Sequence, residues 1–264
     1  LAGSVKVRGH ELHVERVGRG APLYFLHGGP GLDHSYFRPF VEPLADGLEL
    51  VFYDQLGCGR SARPDPLLGG IEGWAEELEA LRRELGHGRI SLLAHSFGVL
   101  IAATYALTYP EHLEAAVLTG APSVFDFPGG FAQRRGIVAP ALDDEGLRAF
   151  VRSKLPSFFH RYDPAVVERL DARLRYSGRA NAYGTACLPT FNLRARRDRW
   201  VARTLIIAGG RDAITPTAGA QRLARSIDGA RVATLDQSGH FPFIEEPEAF
   251  LELVRAYLAP PHDR

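Results

Sequence analysis

The chain has 264 residues, 45% of them apolar, and its 31 basic and 31 acidic side chains leave no formal net charge. That balance offers no electrostatic footing for a nucleic acid or an anionic membrane. No run approaches the roughly 18–20 apolar residues of a bilayer-crossing helix, and Cys58 and Cys187 make neither a disulfide framework nor a metal-ligand spacing.

The opening stretch, LAGSVKVRGHELHVERVG, lacks the apolar centre of a secretory signal, so a cytoplasmic location is expected. Within it, Val5, Val7, Leu12 and Val14 alternate with polar residues and predict a hairpin over 4–17. Continuous apolar runs follow at 23–26 (LYFL), 49–53 (ELVFY), 90–94 (ISLLA), 115–120 (AAVLTG), 204–209 (TLIIAG) and 231–235 (RVATL). These read as strands buried on both faces. Between them, 74–85 has an amphipathic helical spacing, 98–109 is apolar nearly all round, and 247–258 opens on Pro247 in the favoured first turn.

The alternation predicts an α/β fold: a mostly parallel central sheet flanked by helices, with ligands bound at the carboxyl ends of the strands. It breaks between the fourth and fifth runs of that series, over about 121–200, where pieces such as DDEGLRAFVRSKL and DPAVVERLDARL are helical but no buried strand appears. A core of residues 1–121 and 201–264 with an inserted helical cap at 122–200 is the expected organisation. The stretch 121–200 holds 14 basic and 8 acidic residues, and the rest of the chain 17 and 23.

Residues 90–98, ISLLAHSFG, place Ser96 between a buried strand and an apolar helix, with small residues two positions away on either side (Ala94 and Gly98). A serine there can simply cap the helix, but a tight strand-to-helix turn also lifts a hydroxyl above the sheet as a nucleophile. Such a hydroxyl needs a base, and the base needs a carboxylate to hold its tautomer. Asp212 and His240 each fall just past a later strand, in the order serine, acid, histidine that this kind of sheet uses. Asp126, after the strand ending near Gly120, is the second candidate for the acid.

Residues 24–31, YFLHGGPG, end a strand on an unusually bare backbone. Negative charge develops on the carbonyl oxygen of an attacked acyl group, and each backbone N–H aimed at it is worth about 2.7–4 kcal/mol. One donor is the residue after the nucleophile, Phe97. The other belongs to the glycine loop, with Gly29 the first choice and Gly28 the second. His27 and His95 are read as orienting their loops, and Cys58 as packing.

HGGPG at 27–31, DQLGCGRS at 54–61, AHSFG at 94–98, GGRD at 209–212 and SGHFPFIEEP at 238–247 together resemble the α/β-hydrolase superfamily. More narrowly, they resemble its proline iminopeptidase (prolyl aminopeptidase) branch. The chain departs from that branch in two places: Leu56 stands where DQRG has arginine, and A-H-S-F-G replaces G-G-S-W-G. The resemblance implies a serine hydrolase that releases an N-terminal residue from a small peptide through an acyl-enzyme, and since side chains and backbone supply all the activation, no metal or organic cofactor is expected. It also implies acidic cap residues that hold the substrate's amino group. Glu145 and Glu168 are the candidates, with Asp143, Asp144 and Asp163 also available.

The basic cap supports a second reading, an esterase, lactonase or carbon–carbon bond hydrolase whose small substrate pairs a carboxylate with Arg134, Arg135, Arg152 or Arg175. A third is a non-catalytic ligand-binding protein of the same fold. Epoxide hydrolases and haloalkane dehalogenases carry a carboxylate nucleophile where this chain has Ser96.

Overall fold

The computed structural model describes residues 2–67, 69–122, 124–125 and 142–259. The expected hairpin is β1 (Ala2–Val7) and β2 (His10–Gly18), longer than the alternation alone suggested. The remaining strands are β3 (Ala21–Leu26), β4 (Leu48–Tyr53), β5 (Ile90–His95), β6 (Leu113–Thr119), β7 (Arg203–Gly209) and β8 (Arg231–Leu235). All eight form one sheet in the order β1-β2-β4-β3-β5-β6-β7-β8. β2 pairs antiparallel with β1 and β4, and every pairing from β4 to β8 is parallel.

Because successive strand residues face opposite sides, the apolar runs feed two cores. Tyr24, Leu26, Leu92, Ala94 and Leu118 pack on one face, and Leu23, Phe25, Leu93, Val117 and Ile207 on the other. On the first face lie α1 (Gly70–Glu84) and α2 (Phe97–Thr108). Helix α1 begins four residues before the expected start. The glycines of GIEG conceal that turn from propensity, and burial of Ile71 outweighs it. Helix α2 is buried along nearly its whole length, which is why its sequence shows no polar face.

Three described α-helices lie between β6 and β7: α3 (Asp144–Lys154), α4 (Pro164–Asp171) and α5 (Gly178–Cys187). Each starts on a side chain that accepts a hydrogen bond from a first-turn N–H: Asp143 from Gly146, Asp163 from Ala165 and Ser177 from Ala180. Helix α5 had no apolar stripe to reveal it, because its buried face is Gly178, Ala180, Asn181 and Gly184. It seats on the glycine loop through Ser177 N–H to Gly31 O (2.8 Å) and Asn181 Nδ2 to Pro30 O (2.8 Å). A Cβ on Gly184 would come within 2.6 Å of Pro30.

The chain closes with α6 (Thr217–Ala224), the short α7 (Pro242–Glu245) and α8 (Pro247–Leu258), the last within its expected bounds. Among the described residues, no helix is long and apolar enough to cross a membrane.

Candidate active site

Ser96 sits at the turn from β5 into α2 with φ 54° and ψ −117°, a left-handed backbone that costs a non-glycine residue of order 1–3 kcal/mol. The turn is held by Ser96 N–H to Thr119 O (3.0 Å) and Val99 N–H to Ser96 O (3.0 Å). Gly98 is required there: a Cβ would lie 2.3 Å from the Leu26 carbonyl oxygen and 2.8 Å from that of His27. The serine side chain makes no cap hydrogen bond to the helix that follows it.

His240 Nε2 lies 3.0 Å from Ser96 Oγ, and His240 Nδ1 lies 2.8 Å from Asp212 Oδ2. The loop after β7 wraps the carboxylate. Oδ1 accepts from the Ile214 and Thr215 amides (2.7 and 2.9 Å), and Oδ2 also accepts from Thr215 Oγ1 (2.6 Å). Burial alone would raise the Asp212 carboxyl, but the His240 ring and the Thr215 donors outweigh it and hold the group below its ordinary value. The structure thus brings Ser96, Asp212 and His240 into one line. Asp126, the other candidate acid, lies outside the described residues.

The glycine loop enters the same pocket. Gly28 gives its N–H to the Tyr36 hydroxyl (2.6 Å), which removes it as second choice of oxyanion donor. Gly29, at φ +126°, borders the pocket beside Ser96. Phe97 opens α2, so its N–H has no intrahelical acceptor and points out of the helix N-terminus. Tyr36 also touches His95 Nδ1 (2.9 Å), and His95 Nε2 reaches His240 O (2.9 Å). Full burial and the neighbouring His240 push the His95 imidazole well below its ordinary value, so the ring is neutral. His27 braces the next loop, accepting from Gln55 N–H at Nε2 (3.2 Å). Tyr36 carried no motif; its role comes from packing alone.

The pocket over Ser96 is small, about 80 Å³, and lined mostly by apolar side chains, among them Leu32, Leu147, Phe150, Val151, Ile214 and Phe241. Lys154, from the end of α3, is the charged side chain in that lining, beside the neutral His95 and the His240 of the triad. The expectation for Glu145 and Glu168 is corrected. Their side chains are 81% and 72% exposed, face Arg148 and Arg152 at the surface, and do not line the pocket. The other acids are occupied elsewhere: Asp143 and Asp163 cap helices, and Asp144 accepts from Gly178 N–H and pairs with Arg63. Of the arginines, Arg152 pairs with Asp171 and Glu168, and Arg175 lines a different cleft; Arg134 and Arg135 lie outside the described residues.

With this geometry in hand, the family is clear. The model of the alpha/beta hydrolase fold family matches residues 21–247, and the chain belongs to that family. Its likeness within the family is to the proline iminopeptidase branch. It is 28% identical to a proline iminopeptidase of Lactobacillus crispatus, over 98% of each chain. It is also 30% identical to a putative carbamate hydrolase RutD of Rhizobium rhizogenes, over 94% of this chain and 97% of that one. Among solved structures, an esterase from Exiguobacterium antarcticum superposes with a TM-score of 0.83 at 22% identity, covering 98% of this chain and all of the other.

Proposed function

We propose that the chain is a serine hydrolase in which Ser96, His240 and Asp212 are the catalytic triad and the helices between β6 and β7 are a cap that shapes the acyl pocket. The line from Asp212 Oδ2 through His240 to Ser96 Oγ carries this reading. Ser96 Oγ forms a bond to the acyl carbon as its proton passes to His240 Nε2. Asp212 holds Nδ1–H and stabilises the resulting imidazolium. The Gly29 and Phe97 amides take up the oxyanion. Collapse breaks the bond to the leaving amine or alkoxide, which receives the proton from Nε2. Water then repeats the sequence and frees the acid. A fluorophosphonate should label Ser96 stoichiometrically, and an unlabelled wild-type protein would return the ligand-binding reading.

For the substrate, the full-length likeness to proline iminopeptidases supports an aminopeptidase acting on small peptides. One observation favours the second reading: a cation, Lys154, borders the pocket, and the acids considered for an amine clamp do not. That environment suits a small acyl substrate carrying a carboxylate better than one carrying an ammonium group. Initial rates on a proline arylamide, its N-acylated form and aryl esters with and without a terminal carboxylate separate the two. Cleavage of the free proline amide alone establishes the aminopeptidase. Preference for the carboxylate ester establishes the other.

A further inference from the structure

Against β2, three potential metal ligands that do not line the Ser96 pocket converge. His13 and Glu15 are two apart on β2 and therefore share a face, and His34 is brought to them by the turn after β3. His13 Nε2 lies 3.0 Å and His34 Nε2 3.6 Å from the same oxygen, Glu15 Oε1. All three donor atoms fall within 4.8 Å of one another. The geometry points to a binding site for a divalent transition-metal ion of the zinc class, held by His13, Glu15 and His34.

The donor spacing and the support behind His34 suit such a site. Zinc at about 2.0–2.2 Å from nitrogen and oxygen ligands sets its donors roughly 3.3 Å apart, so the cluster needs only a small closure of the two imidazoles. Asp54, fully buried, binds His34 Nδ1 at 2.6 Å and turns Nε2 towards the cluster, the carboxylate–histidine support that metal-bound imidazoles carry. Arg38 holds the other oxygen of Glu15 and is itself paired with Glu42, which leaves Oε1 facing the two rings. The two imidazoles lie nearly parallel, with centroids 5.8 Å apart. A cleft of about 730 Å³, lined also by Arg38, Arg60, Arg173 and Arg175, opens onto Glu15 and His34 and leaves room for water in the fourth position. The histidines and the carboxylate suit zinc, nickel or copper rather than calcium or magnesium.

The competing arrangement has a proton where the metal would sit, with His34 bridging Asp54 and Glu15. Titrating zinc, and separately cobalt, into the metal-stripped full chain by calorimetry decides between them. His34→Ala would leave Asp54 without its buried partner, so the variants of choice are His13→Ala and Glu15→Gln, each checked for a native circular dichroism spectrum. Loss of an outer-shell partner alone costs about 10–100-fold in metal affinity, and loss of a ligand should cost at least that. The expected result is one equivalent bound by wild type and by Ser96→Ala, with affinity reduced at least tenfold in both ligand variants. No saturable binding by wild type, or binding unchanged in folded His13→Ala and Glu15→Gln, overturns the site. Because Ser96→Ala retains the metal if this site is real, failure here is separable from failure of the hydrolase reading.

Discussion

The Tyr36 hydroxyl lies 2.9 Å from His95 Nδ1, and this contact joins the two halves of the candidate active site. The oxygen accepts the Gly28 N–H from the glycine loop. His95 Nε2 faces a carbonyl, that of His240, and must carry the ring's proton, so Nδ1 accepts from Tyr36. A directed chain of hydrogen bonds thus runs from the oxyanion loop to the backbone of the base.

Tyr36→Phe leaves the Gly28 N–H and His95 Nδ1 without partners in a buried place, a cost of about 1–3 kcal/mol for each unsatisfied group. The variant should melt several degrees lower. Its kcat should fall by about tenfold or more while KM changes little, because the displaced loop serves the transition state. Steady-state kinetics together with calorimetry check this; an unchanged kcat would confine the chain to a structural role.

Ser96→Ala or His240→Ala should remove nearly all turnover, on the order of 10⁶-fold by analogy with other serine triads. Asp212→Asn should cost about 10⁴-fold through the wrong tautomer of His240. All three should remain folded by circular dichroism, and wild-type rates in any one would sink that residue's assignment.

Gly98→Ala drives a Cβ to 2.3 Å from the Leu26 carbonyl oxygen, on the strand that leads into the glycine loop. Backbone cannot give way there as a side-chain tip would, so a loss of roughly 1–3 kcal/mol is expected. The denaturant midpoint should fall and activity with it.

Lys154→Ala should lower kcat/KM for a carboxylate-bearing ester by about tenfold or more and leave a neutral ester of the same length nearly unaffected. The ratio of the two rates is the measurement. Equal losses on both would mean that Lys154 acts through packing.

Glu77 is fully buried, and burial, only partly offset by the Leu56 N–H and the more distant Arg8 charge, raises its carboxyl to about 8. In the window from about 4.5 up to about 8 the folded state therefore holds a proton that the unfolded chain has lost, so this residue's contribution to stability declines as pH rises. Glu77→Gln should flatten that slope and raise stability by on the order of 2–4 kcal/mol above pH 8. Urea titrations at pH 5, 7 and 9 would show it; a variant less stable than wild type at pH 9 would mean that the carboxylate is ionised and held.

What was legible in the sequence is what rests on local pattern. Apolar runs buried on two faces gave the parallel strands, and the glycines of 28–31 and 98 announced a backbone that another chain segment approaches closely. The order of Ser96, Asp212 and His240 followed from their places just past strand ends. Tertiary packing alone decided the rest. Helix α5 was concealed because it packs through small residues against Pro30, which makes no hydrophobic period. Glu145 and Glu168 fall on solvent-facing turns while Lys154 reaches the pocket, a matter of helix rotation that charge counts over the whole 121–200 stretch cannot resolve. Tyr36 meets His95, and His13 and Glu15 meet His34, across wide separations in the chain. Those meetings depend on how the sheet twists and where its loops return, which is why nothing at either end of each contact marks it in advance.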